Sequence, residues 1–222
     1  MLLEGFSPVP LRLLPDSALL VLGEKTHLVA ADLHLGKSAA FRAHGLPVPE
    51  GDTARDLARL AELVREHSPD QLVIAGDLFH ADSGCTDEVI GAFLDFMDSI
   101  GIPFTLVCGN HDKKVKGLPA SLACTAHLDV SGLRIVHKPE DAADGMPNLC
   151  GHIHPVVRIP DGKNTSLRIP CFHLGGNILT LPAFGGFTGG HIVKPEKGDR
   201  FFVSHLGKVI EVPGELLTPK SR

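Results

Sequence analysis

Short unbroken apolar runs recur along the first two thirds of the chain, and each ends in polar residues of a similar kind. Residues 28–31 run into Asp32, 72–75 into Gly76 and Asp77, 104–108 into Gly109, Asn110 and His111, 133–136 into His137, and 149–150 into Gly151 and His152. Runs this short, rich in β-branched residues and without alternation, predict strands buried on both faces. Five strands are therefore expected to deliver Asp, Asn or His at their carboxyl ends. Between them, residues 53–67 set Ala54, Leu57, Leu60, Ala61 and Val64 on one helical face, with Thr53 and Asp56 as a variant capping box. Residues 86–100 repeat the pattern with Val89, Ile90, Phe93, Leu94 and Met97, and Thr86 is the expected cap. Such alternation over residues 27–108 predicts βαβ crossovers and a partly parallel sheet. After residue 130 the helical pattern fades. Short strands at 156–159, 167–172, 200–204 and 208–212 predict a mainly antiparallel second sheet, and the Pro/Gly-rich residues 181–190 read as a packed loop.

Groups at the carboxyl ends of adjacent buried strands converge, because an open α/β sheet has its crevice at that edge. Here they are Asp32, His34, Asp77, Asn110, His137, His152 and His154. Asp32 and His34, like His152 and His154, are two residues apart, so in an extended strand end both members of a pair point to one face. So many oxygens and imidazoles at one edge, with no Lys or Arg partner nearby in sequence, are costly to bury without a cation. Nitrogen and oxygen donors without thiolate suit Mn, Fe, Zn or Ni. Seven donors exceed one tetrahedral site and fit two ions sharing a bridging carboxylate. Asp77 is the best bridge, since Gly76 beside it permits close backbone approach. Two ions about 3.5–4 Å apart lower the pKa of a bridging water and clamp the oxygens of an in-line displacement, which is hydrolytic phosphorus chemistry.

The order of these motifs resembles that of the calcineurin-like binuclear metallophosphoesterases. Asp32–Leu33–His34, Gly76–Asp77–Leu78–Phe79–His80, Gly109–Asn110–His111–Asp112, His137 and Gly151–His152–Ile153–His154 are similar to that family's five motifs. The resemblance implies an α/β (α+β) fold, a two-sheet αββα sandwich with its metal site at the carboxyl ends of the strands, in a single domain spanning residues 1–222. It implies one metal held by Asp32, His34, Asp77 and His154, and a second held by Asp77, Asn110, His137 and His152. His111 would sit beside the phosphate, stabilising charge or protonating the leaving oxygen. The second motif departs from the common pattern by ending in His80 rather than Asp. An imidazole cannot supply the same fixed negative charge, and His80 is expected to hydrogen-bond His111 or the substrate as a second catalytic group.

More narrowly, residues 32–37 followed by Phe41, Arg42, Gly45, Pro47, Pro49 and Gly51, together with residues 181–185 and the total length, look like the ligase-associated DNA-damage-response phosphodiesterases. These are small bacterial enzymes encoded beside a helicase and a DNA ligase. That resemblance implies a phosphodiesterase using two divalent metal ions, manganese foremost with Fe or Zn as other choices. It further implies endonuclease activity on single-stranded DNA in DNA repair, through attack of a metal-bridging hydroxide, and a functional association with helicase and ligase. Lys37 and Arg42 after the first motif, and Lys113, Lys114 and Lys116 after the third, are expected to track the phosphate backbone at the rim of the cleft. A small-molecule phosphoesterase acting on cyclic nucleotides or nucleotide-linked substrates stays open as an alternative. Intact candidate ligands at seven positions argue against a non-catalytic scaffold.

Composition adjusts this picture in four places. Apolar residues are 43% and charged residues 21% of 222, which excludes disordered, fibrous and small disulfide-framework classes. Formal charge is −5, so no global basic field draws in nucleic acid, but two bound divalent ions would bring it to about −1. Neither Trp nor Tyr occurs, so contacts to DNA are expected to be mainly to the backbone, with little sequence preference. Five cysteines without a C-x-x-C spacing, a start unlike a signal peptide, and no apolar run near the roughly 18 residues of a spanning helix predict a soluble cytoplasmic protein with reduced thiols. Cys108 and Cys150 are expected to be small core residues. Among the remaining histidines, His173 is the one expected nearest the site.

Overall fold

The computed structural model describes residues 1–116, 118, 120–160 and 165–217. Its first sheet is laid down in chain order: β1 (Leu2–Leu3), β2 (Leu11–Leu13), β3 (Ala18–Leu22), β4 (Thr26–Ala30), β5 (Gln71–Ile74), β6 (Phe104–Val107) and β7 (Cys124–Thr125). β1 to β4 pair antiparallel, while β4, β5, β6 and β7 run parallel. The crossovers are helical, with α1 (Lys37–Ala43) and α2 (Asp52–His67) between β4 and β5, and α3 (Asp87–Ile100) between β5 and β6. The second sheet comprises β8 (Leu128–Val130), β9 (Leu133–Ile135), β10 (Asn148–Cys150), β11 (Pro155–Pro160), β12 (Ser166–Gly175), β13 (Ile178–Thr180), β14 (His191–Ile192), β15 (Arg200–His205) and β16 (Lys208–Val212). Its order is β14-β11-β12-β13-β10-β9-β8, with β15 on β12 and β16 on β15. Most of these pairs are antiparallel, as the short strands predicted, but β9, β10 and β13 lie parallel to one another and β14 runs parallel to β11.

The period-two alternation of a strand explains why the central strands read as unbroken apolar runs. Leu28, Ala30, Leu72, Ile74 and Leu106 face outward onto Leu57, Leu60 and Leu63 of α2 and Phe93 and Phe96 of α3. Val29, Ala31, Val73, Ala75 and Val107 face inward onto Leu133, Ile135, Leu149, Phe172, Leu179 and Phe202 of the second sheet. This is a two-sheet sandwich with a helical layer on the first sheet. Among the described residues no α-helix follows α3, and the other face of the second sheet closes over its own cluster of Val157, Cys171, Phe201, Val203 and Val212. The carboxyl ends of β4, β5 and β6 in one sheet and of β9, β10 and β13 in the other therefore open on the same edge. No helix among the described residues is long and apolar enough to cross a membrane.

Two local expectations are corrected. Thr86 caps α3, its Oγ1 accepting from the Val89 N–H at 3.3 Å, but α2 has no Thr53–Asp56 capping box. Its cap is Gly51 at φ 98°, because the side-chain oxygens that could cap it are taken by tertiary partners. Thr53 Oγ1 accepts from Gly36 N–H at 3.0 Å, and buried Asp56 accepts from Gly186 N–H. The cysteines are not all free either: Cys108 and Cys124 are disulfide-bonded, with Cα atoms 5.1 Å apart. β7 aligns alongside β6, and Cys108 N–H donates to Thr125 O at 2.7 Å, which brings the two thiols together. A two-residue strand has no pattern of its own, so nothing in the sequence pointed to this pair. Cys85, Cys150 and Cys171 are free thiols that burial pushes up to about 12, which makes them unreactive.

Candidate metal centre

The edge is shaped by backbone that L-residues rarely adopt. Asp32, His34, Asp77, His152 and His154 have φ of 55°, 50°, 51°, 72° and 51°. Asp and His tolerate this left-handed region better than most side chains, yet each still gives up about 1–2 kcal/mol. The spacing argument is thereby corrected: β4 ends at Ala30 and β10 at Cys150, and neither Asp32–His34 nor His152–His154 is extended. Left-handed turns at alternate residues bring both members of a pair to the same edge, while Leu33 between the first pair drops into the core. Asp32 N–H donates to Gly76 O and His34 N–H to Asp77 O, both at 3.0 Å, so neighbouring strand ends hold the strain in place.

Among the described residues the side chains gather into three groups, in each of which the donor atoms lie within 4.8 Å of one another: Asp32, His34 and His154; Asp77, His137 and His152; and His34, His80 and His111, the first and third sharing His34. In the first, His154 Nε2 lies 3.3 Å from His34 Nε2 and 3.4 Å from Asp32 Oδ1. In the second, His137 Nε2 lies 3.4 Å from Asp77 Oδ2 and 3.0 Å from Asn110 Oδ1. Asp77 Oδ2 is also 3.9 Å from both His34 Nε2 and His111 Nε2, which puts it between the groups, where a bridging carboxylate is needed. All seven expected ligands thus meet at one edge.

Several observations fit a cation there. Asp32 Oδ1 is buried with no hydrogen-bond partner, while its Oδ2 accepts from His152 N–H at 2.8 Å. An anionic oxygen left so is costly unless a positive charge faces it. The distal ring nitrogens are occupied by carbonyls: His137 Nδ1 donates to Ala75 O and His154 Nδ1 to Gly189 O, both at 3.1 Å. That fixes the tautomer which leaves Nε2 free as a ligand. Burial drives the His34 pKa down to about 3, against the pull of Asp77, so its ring is neutral. Burial alone would raise Asp77, but hydrogen bonds from His137 and His111 and their charges outweigh it and hold the carboxyl at about 2. Close approach also demands glycine at two positions. A Cβ on Gly76, at φ 87°, would lie 2.1 Å from His137 Nδ1, and one on Gly109 would lie 2.1 Å from Asp77 Oδ1.

A model of the family described as calcineurin-like phosphoesterase matches residues 26–202. The chain belongs to that family. Over the whole phosphoesterase, the crystal structure of Pseudomonas putida nuclease MPE is similar at 30% identity and a TM-score of 0.79, covering 96% of this chain and 99% of that one. A DNA double-strand break repair protein Mre11 from Nanoarchaeum equitans is 32% identical over 87 residues, 38% of this chain. The match spans only 23% of that relative's length. Family and donor set agree that the phosphoesterase uses divalent metal ions.

The remaining expected site residues divide. Lys37 stands over the Phe41 and Phe187 rings and acts electrostatically on His80. Arg42 pairs instead with Glu50 at 3.2 Å and lines a separate cavity of ≈ 450 Å³ with Ser38, Asp52 and Thr86, none of them a candidate ligand. Lys113, Lys114 and Lys116 are exposed in and after the 3₁₀ turn that follows His111. His173 is engaged elsewhere, 3.0 Å from Asp199 and stacked on Phe201. Three contributors escaped the sequence reading. Asp112 is buried and accepts from Gly109 N–H at 2.9 Å and Phe79 N–H at 3.2 Å, clamping the second motif to the third. Asp56 holds the loop after β13, whose Gly185 N–H donates to Asp32 O and whose Gly189 accepts from His154. Phe187 on that loop stands near the centre beside Phe41. The signal for the loop is the short strand-like run 178–181, apolar but for Thr180, ahead of Pro182, a third strand end of the second sheet at the same edge.

Proposed function

We propose that the chain is a metal-dependent phosphodiesterase that hydrolyses DNA phosphodiester bonds, acting as a single-strand endonuclease in DNA repair. The observation that carries this reading is the pair of donor groups with Asp77 Oδ2 lying between them, 3.4 Å from His137 Nε2 and 3.9 Å from His34 Nε2, and His111 beside them. The end-to-end likeness to a nuclease and the partial likeness to a DNA double-strand break repair protein support DNA as the substrate. Asp32, His34, Asp77 and His154 would hold one ion, and Asp77, Asn110, His137 and His152 the other, manganese foremost. When bound, such ions activate water as the nucleophile and neutralise charge on the phosphoryl oxygens. His111, its Nδ1 tied to a carbonyl, keeps Nε2 free to hold a proton for the leaving oxygen. Lys37 and the exposed Lys113 and Lys114 supply positive charge for the flanking phosphates.

The reading is tested by giving manganese-loaded protein circular single-stranded DNA, duplex DNA, a phosphodiester chromogen and a phosphomonoester. Nicking of the circular strand, abolished by Asp77→Ala and by His111→Ala, is expected. Turnover of the chromogen or the monoester with both DNAs left intact would instead select a small-molecule phosphoesterase.

A further inference from the structure

We propose that the exposed ring of Phe187, buttressed by Phe41 and with the Lys37 ammonium beside it, is a stacking platform that grips an unpaired base next to the scissile phosphate. The inference rests on the reading of the chain as a nuclease of single-stranded DNA and adds the means by which that strand is selected. A row of rings leads out of the candidate centre. His111 stacks on His80 at 5.3 Å between centroids, His80 and Phe41 meet in a T-shape at 5.9 Å, and Phe41 and Phe187 do so at 5.6 Å, which leaves the outermost ring, Phe187, to offer a face. The row ends at the surface, where Phe187 is 41% exposed. Lys37 Nζ stands 5.9 Å from the Phe41 centroid and 5.8 Å from that of Phe187, so a positive charge adjoins the two apolar faces. A nucleotide offers the matching combination of a flat π-face and an adjacent phosphate.

The platform is fixed relative to the reaction. Phe187 stands in a loop whose Gly185 N–H is bonded to Asp32 O at 3.2 Å, whose Gly186 N–H is bonded to buried Asp56, and whose Gly189 O accepts from His154. Phe41 is carried by α1, which begins three residues after His34. Both rings are thus anchored to candidate metal ligands, so a stacked base would also fix its own phosphate. A base inside a duplex already has neighbours on both faces and cannot present one, whereas an unpaired base can. Absence of Trp and Tyr suggests contacts mainly to the backbone; a phenylalanine supplies a base platform beside them. Indifference to sequence survives, because every base has a face to stack.

The test compares a single-stranded oligothymidylate with an abasic strand of the same length and backbone. Manganese-loaded wild-type protein and Phe187→Ala protein are matched for bound metal and thermal midpoint. Wild type is expected to cleave the thymidylate strand with kcat/KM about tenfold above the abasic strand, a ratio typical of one base stacked on an aromatic ring. In Phe187→Ala the ratio is expected to collapse to about one, and in Phe187→Trp to return. Equal rates on the two strands in wild type, or an undiminished ratio in Phe187→Ala, overturn the platform and leave the nuclease reading intact. Failure of wild type to cleave either strand overturns both.

Discussion

The imidazole of His111 donates its Nδ1 hydrogen bond to the main-chain carbonyl of His80, so the ring is oriented by backbone and not by a side chain. The His80 ring itself stacks on His111 at 5.3 Å and turns its Nδ1 toward His34 Nδ1 at 3.5 Å. Burial, with Lys37 and His111 nearby, lowers its pKa to about 4, so it stays neutral near pH 7. The orienting role that an Asp often fills at this position thus has a substitute that survives mutation. His80→Ala is expected to lower turnover of a phosphodiester chromogen by less than about tenfold, and His111→Ala by at least about a hundredfold, the usual worth of a positioned acid. Initial rates at matched metal content decide it. Equal losses in the two variants would make the His80 ring as important as that of His111.

The five runs that end in Asp, Asn or His became strand ends at one edge, because burial on both faces leaves a pattern that survives in sequence. What stayed hidden depended on contacts made at long range. Asp56 read as a helix cap, although an oxygen at that position is equally free to bind Gly186, 130 residues away. Cys108 read as core because its partner sits in a two-residue strand. Arg42, eight residues after the first motif, lies on the side of α1 that meets Glu50. Asp32 and His34 reach one edge through left-handed backbone and not through an extended strand end, and such backbone leaves no signature in a run of side-chain types.

Gly109 offers the sharpest steric test. Its missing Cβ leaves room for Asp77, whose Oδ1 and main-chain N would lie 2.1 and 2.2 Å from that carbon. Gly109→Ala must therefore displace the carboxylate at the centre of both donor groups. Since about 1 Å of misplacement at a reacting centre costs about a hundredfold, activity is expected to fall at least that far, with bound manganese reduced. Elemental analysis and rates on one preparation check both. Full metal occupancy and wild-type turnover would refute the requirement.

Protons compete with metal at this edge, and the direction can be worked out. Burial disfavours charge on His137 and His154, but Asp77 beside the first and Asp32 beside the second outweigh it and raise both pKa values above 6.5. In metal-free protein their contribution to stability is fully present below 6.5 and is lost as pH rises through the raised values. His34, His80 and His152 are depressed by burial, so their contribution is present above 6.5 and is lost as pH falls below it. Metal-free protein is therefore expected to be most stable near pH 6.5. Manganese must displace the protons of His137 and His154, so affinity is expected to strengthen with pH above 6.5, by about tenfold per unit for each proton released. Thermal midpoints of the two forms between about pH 5.5 and 8.5 should diverge as pH rises. Parallel curves would show that no proton is exchanged.

Asp56 ties the loop bearing Phe187 to α2, and its removal separates positioning from chemistry. Its carboxylate accepts from Gly186 N–H at 3.0 and 3.2 Å and from Arg59 Nη1 at 3.0 Å, and it is 4% exposed. Arg59 also donates to Phe184 O at 3.0 Å and stacks its guanidinium 4.5 Å from that ring. Asp56→Ala removes the charged acceptor shared by the Gly186 N–H and Arg59 Nη1 and is expected to cost about 1–3 kcal/mol of stability. Because the same loop receives the His154 hydrogen bond at Gly189, manganese affinity should weaken as well, although Asp56 is not among the candidate donors. Asp56→Asn, which can still accept from Gly186, is expected to recover most of both losses. Denaturant unfolding and manganese titration of the two variants provide the readouts. Loss of stability with unchanged manganese affinity would show that the loop supports the fold but does not orient His154.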